Sequence, residues 1–318
     1  MLKLLHIGID VKPVPIWISK ALKAVTDYKE ILPHAPANLI RQLYDSHKPD
    51  CVFMQIQSPG FNIGLVEYMS KNSIVINWSG DVRDPFPQWY RDFKKYCVTC
   101  FSNMRDVREV GGEFIQIGTD PDIFKKWEAI DTGGDIVFMA NYSPRFPLSE
   151  YRLHMVNFLK ATYGKRFKMI GNNFPHTDGN LMNNQIGESQ FYSGSKIAIS
   201  LSHYNLERYF SDRLIRAMGS GCFTLSHYYE GISKDFQVCE HLDVFRDFEE
   251  LKFKIDYYLS HEAERDRIAD NGYEYVHKNF TSHKMAQDIL KIYEKYKNGK
   301  KVKPVSKLVH SPGQATAI

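Results

Sequence analysis

Long apolar runs are missing from this sequence. No stretch approaches the roughly 20 residues needed to cross a bilayer, so no membrane span is expected. Cysteine is also sparse. The five cysteines are widely scattered, which argues against a disulfide scaffold and for a reducing, cytoplasmic setting. Two of them form Cys97-x-x-Cys100, yet an odd separation within an apparent strand points them to opposite faces. They read as buried thiols rather than as a redox or zinc pair. The twelve histidines show no H-E-x-x-H spacing, and no metal site is expected. Neither sign of charge dominates: a formal +4 admits anionic ligands without by itself indicating nucleic acid. No short internal repeat is visible. The opening Met1-Leu-Lys-Leu-Leu-His-Ile-Gly-Ile is too short for a signal sequence and reads as a buried first strand.

What is present is alternation. Apolar runs at Leu4–Ile9, Cys51–Ile56, Ser73–Asn77, Cys97–Phe101 and Phe114–Ile117 read as strands. Amphipathic stretches at Trp17–Val25, Ala37–Ser46, Ile63–Ser70, Tyr90–Lys95 and Met104–Glu109 separate them as helices. The segment Gly118–Gly134 breaks the pattern and reads as a linker. A second alternating unit follows, with strands at Ile136–Met139, Phe167–Ile170, Ile197–Ser200 and Cys222–Leu225 and helices after them. Alternation of this kind predicts parallel sheets covered by helices on both faces. The expected fold is therefore α/β, with two doubly wound, Rossmann-like domains facing each other. The expected limits are residues 1–125, residues 126–298 and a basic tail over residues 299–318. Ligands in open sheets of this kind bind at the carboxyl ends of the strands, so a cleft between the two domains is the expected site.

One segment is more informative than the rest, Arg208-Tyr-Phe-Ser-Asp-Arg-Leu-Ile-Arg-Ala-Met-Gly-Ser-Gly-Cys-Phe-Thr-Leu-Ser226. Ser211 is placed to cap a helix, Asp212 sits in its first turn, and Arg213 and Arg216 lie three apart. A helix amino end flanked by arginines can hold a phosphate or diphosphate. An ordinary helix-to-strand connection with solvated arginines reads equally well from this segment alone.

Four segments together resemble the GT-B glycosyltransferases, in particular the group-one and spore-maturation-type branch. Gly118-Thr-Asp-Pro-Asp-Ile-Phe124 is similar to that family's interdomain turn. Tyr192-Ser-Gly-Ser-Lys-Ile-Ala-Ile-Ser-Leu201 is similar to its strand entry, and Ser211–Thr224 to its helix and strand. Asn271-Gly-Tyr-Glu-Tyr-Val-His277 with Phe280-Thr281 resembles its closing motif. The likeness spans Gly118 to Thr281; the first half of the chain matches in layout. It implies a GT-B fold, a nucleotide-diphosphate sugar as co-substrate and no metal. Many relatives that retain anomeric configuration carry two glutamates around this helix, where this chain has Arg208 and Arg216. Neither the usual ribose contact nor a retaining outcome is therefore implied.

Sugar transfer places charge on a departing diphosphate, which needs fixed donors and cations. The donor-side candidates are Asn141, Arg145, Asn172, Lys196, Ser211, Asp212, Arg213 and Arg216. For the acceptor hydroxyl a general base is needed. Asp81, in Asn77-Trp-Ser-Gly-Asp-Val-Arg-Asp84, is the first choice and Asp10 the second. Trp78 and Tyr90 are candidates to stack on a sugar or base, with a core role the plainer reading. Asp120-Pro-Asp122 reads as a helix start rather than a metal motif. The acceptor is open among a glycan, a protein, a small metabolite and a hydroxymethylated base in duplex DNA, the last on account of the lysines from Lys295 to Lys307. A non-catalytic nucleotide- or DNA-binding module and a nucleotide-sugar epimerase share the same layout.

Overall fold

The computed structural model describes residues 1–8, 17–128, 130–180 and 184–298. The first sheet is built from β1 (Lys3–Ile7), β2 (Asp27–Ile31), β3 (Cys51–Met54), β4 (Ile74–Ser79), β5 (Val98–Phe101) and β6 (Glu113–Phe114). All its pairings are parallel, in the order β2-β1-β3-β4-β5-β6. Helices α1 (Trp17–Lys23), α2 (Ala37–His47), α3 (Ile63–Ser70), α4 (Gln88–Phe93) and α5 (Met104–Val110) connect the strands. Strands β1, β3, β4 and β5 carry near-continuous apolar runs because both faces of the sheet are covered. Cys97 belongs to the core on one face and Cys100 to the core on the other. Burial pushes both thiols up, Cys97 to about 12.

The second sheet comprises β7 (Ile136–Met139), β8 (Phe167–Ile170), β9 (Ile197–Ser200), β10 (Phe223–His227) and β11 (Asp243–Phe245). It is also parallel, in the order β11-β10-β9-β7-β8. Its helices are α6 (Ser149–Tyr163), α7 (Gln185–Ser193), α8 (Asp212–Gly219), the short α9 (Ile232–Asp235), α10 (Phe248–Ser260) and α11 (Glu262–Asn279).

The chain then returns. Helix α12 (Ser282–Lys297) inserts Met285, Ala286, Ile289, Ile292 and Tyr293 into the core that β1, β3 and β4 share with α1. Ser282–Lys297 thus packs with the first domain, although the expected division assigned it to the second. The two segments that cross between domains run side by side. The Thr119 amide donates to Phe280 O (2.8 Å) and the Ser282 amide to Thr119 O (2.8 Å). A Cβ at position 118 would lie 2.4 Å from Thr281 O, so only glycine permits this approach. Among the described residues no helix is long and apolar enough to cross a membrane.

Candidate active site

The carboxyl ends of β4 and β9 face one another across a cavity of about 260 Å³. The first domain lines it with Gln57, Trp78, Gly80 and Asp81; the second contributes Arg152, the segment 199–203 and the segment 209–213. Each wall is braced by its own buried polar groups. Asn77 is buried at the end of β4, where its Oδ1 accepts the Ile56 amide (2.9 Å) and its Nδ2 donates to Ile56 O (3.3 Å). That clamp fixes the loop carrying Gln57. One residue pair further on, Tyr90 donates to Ser79 Oγ (2.7 Å) and Ser79 donates to Asp81 O (3.2 Å). Gly80 lies under the Trp78 ring so closely that a Cβ would sit 2.5 Å from it. The turn therefore needs glycine there, and it delivers Asp81 to the cavity edge, where its carboxylate is exposed and 3.4 Å from Arg83 Nη2. Trp78 bonds Ile115 O through Nε1 (2.9 Å), and Tyr90 stacks among Trp89, Phe86 and Phe101. Both are buried core residues, although Trp78 also lines the cavity.

The wall opposite is cationic, and the structure revises how. Helix α8 begins at the cavity with Ser211, Asp212 and Arg213 all lining it. The expected serine cap does not form: the Ser211 hydroxyl caps nothing, and its amide donates to Ser202 Oγ (2.9 Å). Asp212 places a carboxylate in the first turn of the helix. Burial would raise its pKa, but Arg216, Arg213 and the amides of Arg213 and Asp212 itself outweigh that and hold it below the usual range. Asp212 therefore keeps a negative charge, paired with Arg216 and close to Arg213, at the helix end that the sequence offered to a phosphate.

Arg216 is also reassigned. It bonds Asp212 (2.8 Å) and Glu188 on α7 (3.1 Å), lies over the Phe124 ring, and does not line the cavity. Three residues along α8 from Arg213, it faces the neighbouring helix. Lys196 precedes β9 and so lies at the amino edge of the sheet, away from the cavity, pairing with Asp135 (3.2 Å) and Glu262 (3.9 Å). Arg145 is exposed on the loop after β7 and lines no part of the cavity. Asn141 and Asn172 brace the loops after β7 and β8, with the Asn172 amide donating to Asn141 Oδ1 (2.9 Å) behind the wall. Asp10 lies outside the described residues.

Arg152 is the residue the sequence reading passed over. It sits in the first turn of α6, 2% exposed, and lines the cavity. Its Nη1 donates to Asn141 O (3.2 Å) and lies 2.5 and 2.9 Å from the ring nitrogens of His203, while its Nε has no partner. No carboxylate among the described residues pairs with it. Burial, and then the nearby Arg213, push its pKa down to about 9. His203 is held neutral by burial and the same guanidinium, its pKa lowered to about 3. Arg213 is little better matched, with its nearest carboxylate contact to Asp212 at 4.0 Å. Two guanidinia thus line one cavity, Arg213 with Asp212 at 4.0 Å and Arg152 with no carboxylate partner among the described residues; burying an unpaired charge of that kind costs free energy. A signal was available in the sequence: arginine in the first turn of a helix opposes the helix dipole.

Residues 152–291 match the family described as glycosyl transferase-like. No curated protein matches the chain. Several solved structures share the fold over nearly all of it. A glycosyltransferase from Rickettsia africae is 15% identical, with 93% of this chain and 98% of that one covered and a TM-score of 0.66. Anabaena HepE in complex with UDP-glucose is 11% identical, with 93% and 100% covered and a TM-score of 0.63. Sucrose-phosphate synthase from Thermosynechococcus elongatus is 11% identical, with 93% and 99% covered and a TM-score of 0.62. Two parallel sheets around an interdomain cleft define the class by its fold, a GT-B architecture, and residues 152–291, which carry most of the second wall, are similar to the glycosyl transferase-like family.

Proposed function

We propose that the protein moves a sugar from a nucleoside-diphosphate sugar to an acceptor hydroxyl, with the diphosphate held between Arg152 and Arg213. The observation that carries this reading is the buried Arg152 guanidinium, which has no carboxylate partner among the described residues and shares the cleft with Arg213. As the anomeric C–O bond breaks, its electron pair goes to the diphosphate oxygen, and the two arginines meet that charge. They supply it from the protein's own side chains, so the step as written uses no metal. On the opposite wall the acceptor hydroxyl forms the new C–O bond and gives its proton to Asp81, the carboxylate that the first domain presents to the cavity. UDP, the nucleotide bound in the Anabaena structure, is the natural first probe for this chain.

Thermal unfolding in the presence of nucleoside diphosphates, combined with turnover on a panel of glycans, hydroxylated peptides and hydroxymethylcytosine-containing duplex DNA, tests the proposal. Arg213→Ala is expected to abolish stabilisation by the diphosphate. Asp81→Ala is expected to preserve it and to lower turnover by roughly 10²–10⁴-fold. Equal loss of nucleotide affinity in both variants overturns the assignment of the two walls. A product in which only the donor sugar is altered, with no acceptor required, identifies an epimerase instead.

A further inference from the structure

The backbone just before the donor wall is strained and fastened to the other domain. Arg208 has φ +56°, in the left-handed region that a residue with a Cβ rarely adopts. Such a conformation persists only where its surroundings over-determine it, and here they do. The Arg208 amide donates to Glu230 O (2.8 Å), and its guanidinium donates twice to Asp235 Oδ1, at 3.0 and 2.6 Å. Two further contacts come from the first domain: Gln116 Nε2 donates to Arg208 O (3.2 Å), and the guanidinium lies 4.0 Å over the Phe114 ring. Glu207 adds two more, accepting Arg108 Nη2 at 2.6 Å and, through its carbonyl, the Met104 amide at 3.0 Å. Arg208 itself does not line the cavity; the next residue, Tyr209, does, followed by Phe210, Ser211, Asp212 and Arg213.

We infer that Arg208 is a positioning residue that locks the Tyr209–Arg213 wall to the first domain, so that donor affinity depends on this interdomain clasp. The inference rests on the proposed seat of the diphosphate. The left-handed turn at 208 sends its side chain to Asp235 and Phe114 and the following residues to the cleft. Loss of the clasp frees the strained turn to relax, and Arg213 moves with it. Phe114 lines no part of the cavity and meets the second domain at the Arg208 guanidinium, while on its own side it packs with Tyr90 and Phe101.

A double-mutant cycle on Arg208→Ala and Phe114→Ala, read as UDP affinity and as KM and kcat for the donor, tests this. Each single change is expected to weaken UDP binding about tenfold, and the double change no more than either alone, since coupled contacts are not additive. KM for the donor is expected to rise with kcat at saturation nearly unchanged. Arg208→Lys, which keeps the charge facing Asp235 but loses the flat stacking face, is expected to fall between wild type and Arg208→Ala. If Arg208→Ala does not fold, Phe114→Ala and Arg208→Lys carry the same comparison. Lowered thermal stability with unchanged UDP affinity in these variants overturns the inference and leaves the diphosphate site standing. Failure of the wild-type protein to bind any nucleoside diphosphate removes the site and the inference together.

Discussion

Arg152 shows how much a single residue reveals when its costs are counted. A guanidinium that is 2% exposed and faces no carboxylate is a liability to the ligand-free protein. Arg216 shows the contrast: it is half-buried, but Asp212 and Glu188 neutralise it, so it stabilises the α7–α8 contact. A trade between stability and function follows at position 152. Arg152→Met keeps the length of the stem and removes the unmatched charge. It is expected to raise the thermal midpoint of the ligand-free protein by about 2–4 °C while weakening UDP binding by roughly 10–100-fold, the worth of a charge-assisted hydrogen bond pair. Calorimetric melting and titration of the same preparation check both halves. A lower midpoint together with unchanged affinity shows that Arg152 is a structural residue.

At the scale of elements, a buried imidazole, His6 on β1, ties the first sheet together. Gln55 Oε1 accepts from its Nε2 (2.9 Å), so its Nδ1 is left to accept from Tyr28 on β2 (2.7 Å), with Ser19 of α1 3.3 Å away. One imidazole therefore joins three elements and the loop after β3. Burial is the main cause of its lowered pKa, about 4, with Glu30 at 3.6 Å pulling the other way. The unfolded chain takes up a proton near pH 6.5 that the folded chain refuses until about pH 4. The stability that this group contributes is fully present above pH 6.5 and is lost as pH falls through that window, by roughly 3 kcal/mol at most. Urea unfolding between pH 7 and pH 4 is expected to show this slope in wild type and a shallower one in His6→Gln. Identical slopes contradict it.

The elements themselves were legible to different degrees, for physical reasons. Buried parallel strands such as Cys51–Met54 and Ile136–Met139 are continuous apolar runs, and the sequence marks them plainly. Asp27–Ile31 was missed because it is an edge strand of partly exposed, mixed residues, and Asp243–Phe245 because three residues set no period. Helix α7 follows a stretch without apolar periodicity and is held by Asn184, whose side chain caps it. Within the site, Asp81, Ser211, Asp212 and Arg213 were readable from strand ends and helix starts, and all four line the cavity. Arg216 and Lys196 were not separable from them by sequence, because which way a helical arginine turns, and which end of a strand meets the cleft, depend on the packed neighbours Glu188 and Asp135.

At the scale of the whole molecule, the cavity lies between the two domains, with Asp81 on the first wall and Arg152, Asp212 and Arg213 on the second, and the proposed reaction sits between them. The return of α12 to the first domain and the paired crossing at Thr119 and Thr281 make the two domains share one framework instead of hanging from a single linker. The contacts from Arg108, Phe114 and Gln116 to Glu207 and Arg208 add a third connection, next to the cavity wall formed by Tyr209–Arg213. The most direct test of this account is a crystal structure of the protein grown with UDP. The account predicts phosphate oxygens within hydrogen-bond distance, about 3 Å, of both the Arg152 and Arg213 guanidinia, with the His203 contact to Arg152 loosened. A well-ordered UDP whose phosphates lie elsewhere, with Arg152 still bound only to Asn141 and His203, contradicts it.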